Sequence, residues 1–212
     1  MGLVYTAFFI TLVPAVLAAF KWRLMQEHQR WFSVLLWFIV VNSFAGWIWT
    51  LQTGRSNTPF FYVYILVEYL ILLQVYRFMF SESIKKQIWV ILAIGFSVIW
   101  LIDVFTGKGW WGFPDYIHAL EAVILLVIVA KWFLKMLKEK TVLHPEKTFE
   151  FWLSAGLLLF FSGNFLLFAF PKLMLTAGKE VFEAIWKVNA ILNILLYTIY
   201  TVALLWVKRT TK

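Results

Sequence analysis

Glu68 and Glu121 stand inside runs that are otherwise almost wholly apolar, YILVEYLILLQV and HALEAVILLVIV. A carboxyl in such surroundings can hold a proton, bind a cation or, as one of a pair, act as a general acid or base, provided the fold brings the groups together. His118 precedes Glu121 by three residues, a spacing that puts both on one face of a helix. Amides recur in comparable settings at Asn42, Asn164, Asn189 and Asn193, with Tyr64, Trp186 and Tyr197 as nearby aromatic rings. The His118–Glu121 spacing also occurs in helix-bundle metal sites. With only 3 His and no Cys in the chain, and with His28 and His144 assigned to loops, neither a metal site nor a cofactor is expected.

The elements that would carry these residues are helices in lipid. Hydrophobic residues make up 63% of the 212 and charged residues 14%. A soluble domain of that size cannot hide so much apolar side chain. The apolar runs predict an all-α, integral membrane seven-helix bundle forming one transmembrane domain over 1–212, with helices at 2–20, 32–52, 60–80, 88–106, 116–137, 150–170 and 181–207. Each is long enough for a hydrocarbon core of about 30 Å. Runs such as Val123 to Ala130 lack the alternation of a barrel strand. Pro14 falls inside the first helix and predicts a kink.

Charge orients the bundle. Of the 19 Lys and Arg, only Arg55, Lys108, Lys172, Lys179 and Lys187 fall on one side of the predicted spans. The richer side is cytoplasmic, so the N-terminus is expected outside and the C-terminus in the cytoplasm. The same distribution accounts for the net charge of +8 without nucleic acid, because the basic residues sit in short loops rather than on a stripe or tail. The segment GKGWWGFPD, Gly107 to Asp115, is expected at the outer headgroups, with Trp110 and Trp111 as interfacial anchors. Asp103 and Asp115, near helix ends, are expected in water.

At about 1.5 Å per residue, Glu68 lies roughly 12 Å and Glu121 roughly 8 Å below the outer ends of the third and fifth predicted helices. Asn164, Asn189 and Asn193 lie roughly 9, 9 and 15 Å down the sixth and seventh. The inner half holds little beyond Gln74. This slab predicts a ligand-binding pocket in the outer half, formed by Glu68, Glu121, His118, Asn164, Asn189, Asn193, Tyr64 and Trp186. Burying an acid at a helix centre costs roughly 2.5 kcal/mol or more on insertion scales, so such a group is expected to face the bundle interior. The blander alternative is structural: amides tie helices together for about 0.6 kcal/mol apiece, and a protonated Glu68 donates to a backbone carbonyl. Lys187 has Glu183 at the spacing of a surface ion pair, and it lies too near a helix end to resemble the mid-helix retinal lysine of rhodopsins.

The stretches FYVYILVEYLILLQVYRF, FWLSAGLLLFFSGNFLLF and WKVNAILNILLYTIY resemble small seven-transmembrane-helix proteins of Bacteroidetes-type bacteria. The resemblance implies a place in a bacterial inner membrane and an association with signalling systems, and it supplies no catalytic residues. Three functions follow as expectations. The first is a sensor-like or receptor-like multi-pass protein that binds a small ligand or proton in the outer pocket. Its loops are too short to form a soluble domain, so it would signal through a cytoplasmic partner. The second is a small-solute or proton-coupled transporter, which needs polar lining on both sides of the membrane. The third is an intramembrane hydrolase using Glu68 and Glu121 as paired carboxylates. No Ser-His-Asp or Cys-His arrangement and no phosphate-binding Gly loop accompanies them.

Overall fold

The computed structural model describes residues 2–80, 83–106, 109–112, 114–139, 144–169 and 179–207. Among them every regular element is a helix and none is a strand. The α-helices are α1 (Gly2–Phe9), α2 (Leu12–Lys21), α3 (Glu27–Thr53), α4 (Thr58–Phe80), α5 (Lys86–Thr106), α6 (Asp115–Glu139), α7 (Phe149–Ala169) and α8 (Lys179–Leu205). Six described stretches are long and apolar enough to cross a bilayer: Thr6–Leu24, Glu27–Thr53, Thr58–Phe80, Lys86–Thr106, Tyr116–Lys138 and Glu183–Leu205. Within α7, the shorter stretch Phe149–Phe165 is apolar as well.

The first predicted helix is broken in two. Pro14 has no N–H with which to reach the Ile10 carbonyl. Val13 donates to that carbonyl instead, at 3.1 Å, and the Thr11 hydroxyl donates to Phe8 O at 2.8 Å. The second predicted helix begins earlier than its apolar run, at Glu27 rather than 32. Gln26 and Gln29 form a reciprocal capping box there, with Gln26 N–H donating to Gln29 Oε1 at 3.0 Å. His28 is thus buried in the first turn of α3 and not in a loop. At its other end α3 stops at Gly54, whose φ of 65° suits a residue without a Cβ.

The helices group into two packing units, one of Met1–Met25 with Ala122–Lys212 and one of Gln26–Glu121. In the Gln26–Glu121 unit, α3 and α4 form a hairpin. Asn42 Nδ2 donates to Phe60 O at 3.2 Å, and the Gly46 backbone comes close to the Phe60 side chain. Asn42 thus has the structural, helix-tying role. Helix α5 packs on α4 through Tyr69, whose ring stacks on Phe96 at 3.9 Å and whose hydroxyl donates to Leu92 O at 3.2 Å. Trp100 Nε1 donates to Tyr62 O at 3.0 Å, and Tyr62 OH donates to Asp103 Oδ2 at 2.9 Å. Asp103, expected in water, is therefore half-buried and bonded. The 3-10 turn Gly109–Trp111 seats Trp110 against Tyr62 and Trp100, while Trp111 stays exposed beneath the Arg55 guanidinium. Trp110 of the GKGWWGFPD segment is thus docked on α4 and α5.

In the other unit α7 and α8 run antiparallel: Gly156 faces Leu196 and Ile199, Gly163 faces Leu192, and Asn164 meets Asn189. A Cβ on Gly156 would lie 3.0 Å from Ile199 Cγ2, and one on Gly163 would lie 2.9 Å from Leu192 Cδ1. Small residues are what allow membrane helices to approach this closely. Helices α1 and α2 pack on α8. Lys21 Nζ donates to Leu204 O at 2.9 Å, which Val207 N–H also reaches at 3.2 Å, and to Leu205 O at 3.0 Å, capping the carbonyl end of α8.

The interior is mostly apolar, and so is much of the surface. Phe20, Phe105, Ile91, Leu51 and Leu137 are each more than three-fifths exposed, while Glu68, Glu121, His118, Asn164 and Ser154 are buried. Such a surface suits lipid.

Candidate functional site

Glu68 lies well inside α4, roughly 15 Å from the helix start at Thr58. Its neighbours along the chain are apolar or aromatic, so nothing local supplies a counter-charge. The side chain is 1% exposed. Tyr64, one turn earlier on the same helix, hydrogen-bonds the carboxyl, and Oε2 has no hydrogen-bond partner. A turn of helix separates i from i+4, which places a phenol at Tyr64 directly over a carboxyl at Glu68.

Glu121 lies near the start of α6 and is fully buried. Neither of its carboxyl oxygens has a hydrogen-bond partner. His118, one turn earlier and also buried, brings Nε2 to 3.7 Å from Glu121 Oε2, an approach too long for a direct hydrogen bond. A charge on Glu68 acts on Glu121, and a charge on Glu121 acts on Tyr69. The two acids, which come from helices far apart in sequence, thus share one neighbourhood with Tyr64, Tyr69 and His118.

A buried carboxyl normally finds donors for its oxygens, because an uncompensated buried charge is costly. Here three of the four oxygens of Glu68 and Glu121 lack one. Such an arrangement is poor scaffolding and well suited to accepting a positively charged or proton-donating species. Tyr69 is the member the sequence does not flag. It reads as one more ring in an aromatic run, and only its contacts with α5 and the electrostatic effect of Glu121 on it give it a place here.

The predicted amides behave differently. Asn193 Nδ2 donates to Asn189 O and Oδ1 at 2.9 and 3.1 Å, Asn189 Nδ2 donates to Asn164 Oδ1 at 2.9 Å, and Asn164 Nδ2 donates to Phe160 O at 3.1 Å. This relay joins α7 to α8 and satisfies its own members, the helix-tying role of such amides. Trp186 and Lys187 are exposed on α8, and Tyr197 is buried with its ring 5.9 Å from that of Tyr200. Gln74 accepts from Arg77 at 3.2 Å. Of the predicted ligand-binding residues, Glu68, Tyr64, His118 and Glu121 belong to the unit Gln26–Glu121, while Asn164, Asn189, Asn193 and Trp186 belong to the other. The candidate site is therefore the acid pair with Tyr64, Tyr69 and His118.

Comparison of the chain with models of known protein families, with curated proteins and with solved structures gave no match.

Proposed function

We propose that this chain is a sensor-like or receptor-like multi-pass membrane protein. It takes up a small ligand or proton at Glu68 and Glu121 and passes a helix movement to a cytoplasmic partner. The observation that carries this reading is the pair of buried acids with donor-less oxygens. A fold that only needed to stand would gain by replacing them with apolar residues. Helix α6 supplies the mechanical link, since it holds Glu121 near its start and continues unbroken to Glu139.

The topology in this reading has seven crossings, with the N-terminus outside and the C-terminus in the cytoplasm of a bacterial cell. Its support is the positive charge of alternate loops, together with a parity argument. Lys21, at the end of the first span, caps the last turn of α8, so the two lie on the same side of the membrane. An even number of crossings must separate them. Helices α3, α4, α5, α6 and α8 make five, and α7 completes the even number.

The chain has no cysteine, so a single Lys138→Cys change gives a clean attachment point for a fluorophore at the far end of α6. In nanodiscs its emission is expected to change when the outer pH or cation content is stepped, and to stop responding in Glu68→Gln and Glu121→Gln variants that insert normally. If both variants respond like the parent, the reading fails.

A further inference from the structure

We propose that Glu68 and Glu121 together bind one monovalent cation, H⁺ or Na⁺, as a shared acid pair. This rests on the sensor reading for its role. Glu121 is 0% exposed and Glu68 1%, with Oε2 of Glu68 and both oxygens of Glu121 lacking any hydrogen-bond partner, and the charge of Glu68 acts on Glu121.

The charge balance selects the class of occupant. Two carboxylates acting on each other in a low-dielectric interior cannot both remain uncompensated. Among the described residues no lysine or arginine pairs with either acid. The titratable groups that bond or act on the pair are Tyr64 and Tyr69 from α4 and His118 from α6, while α3, which also packs on α4, carries its titratable groups Glu27, His28 and Arg30 in its first turn. Helix α5 answers with the Leu92 carbonyl and the Phe96 ring, both taken up by Tyr69. No fixed cation is supplied from any of these elements. An anion would meet two acids and is excluded. A large organic cation would need contact with side chains that have no exposed surface. A single small positive charge satisfies one carboxylate directly and gives the other a partner. If the occupant is a proton, it bonds to one carboxyl oxygen and is donated to the other acid, leaving one negative charge on the pair. If it is Na⁺, carboxylate oxygens of both acids coordinate it, as hard cations prefer.

Infrared difference spectroscopy of the ¹³C-glutamate-labelled protein in nanodiscs tests this, in two arms. In sodium-free buffer a downward pH step is expected to raise a protonated-carboxyl C=O band that is shifted in either single Glu→Gln variant and lost in the double variant. At constant high pH, NaCl but not choline chloride is expected to shift carboxylate bands if Na⁺ is the occupant. A response in either arm that disappears in the double variant supports the proposal and names the ion. A His144→Gln background removes the exposed His144–Glu146 contact. Asn164→Ala, which disturbs packing without touching the acids, is expected to leave the bands unchanged. Bands that ignore both ions, or that persist in the double variant, overturn the proposal. If the bands respond while the Lys138→Cys reporter stays silent, cation binding stands and the sensor reading falls. If the bands are silent while the reporter responds, the cation proposal falls and the sensor reading stands.

Discussion

At the scale of single residues, the two kinds of buried polar group have different energetics. The amides of Asn164, Asn189 and Asn193 are donors and acceptors to one another, so deleting one removes a bond and orphans its partner. Asn164→Ala is expected to lower unfolding free energy by about 1 kcal/mol, measured by denaturation in mixed micelles. Tyr69→Phe keeps the stack on Phe96 and loses the bond to Leu92 O, and should also cost about 1 kcal/mol. Neither change removes a carboxyl from the acid pair. The polar residues themselves were legible in the sequence because each interrupts an apolar run. Their partners were not, since whether an amide meets another amide or a carboxyl meets nothing depends on contacts between helices distant in the chain. Tyr69 shows the same limit, being indistinguishable in sequence from a lipid-facing ring.

At the scale of helices, local rules explain where the apolar pattern and the observed bounds part. Hydropathy alone starts α3 near 32, but Gln26 and Gln29 cap the polar turn before it and extend the helix back to Glu27. Pro14 is readable as a disruption, while its outcome as two helices depends on Val13 and Thr11 taking over the nearby carbonyls. Close packing of α7 on α8 depends on Gly156 and Gly163. Gly156→Val should be the more damaging change, because it drives a side chain into the stiff, branched Ile199. Gly163→Ala meets the movable end of Leu192 and should be tolerated better. Thermal unfolding of the two variants side by side measures the difference. Lys21→Met removes the cap on the last turn of α8, and a loss of about 1 kcal/mol is expected.

At the scale of the whole molecule, the distribution of exposed apolar and buried polar groups was the part most legible in sequence, because composition alone leaves too little polar surface for water. The number of crossings is a finer matter, and α7 decides it. With no native cysteine, single substitutions report sidedness through a membrane-impermeant maleimide. Arg55→Cys is expected to label from outside intact cells, and Gln26→Cys, Glu146→Cys and Thr211→Cys only after permeabilisation. Labelling of Thr211→Cys from outside would mean that α7 does not cross and that the parity argument from Lys21 is wrong.

Cation uptake and signalling both require Glu68 and Glu121 to form one site, and a double-mutant cycle measures that most directly. Unfolding free energies would be compared for the parent, Glu68→Gln, Glu121→Gln and the double variant, all in nanodiscs at one pH. Each single change is expected to be neutral or stabilising, and the pair to be non-additive by about 0.5–3 kcal/mol, the range for residues in one network. Strictly additive effects would contradict the account, because they would mean that each acid is unaware of the other.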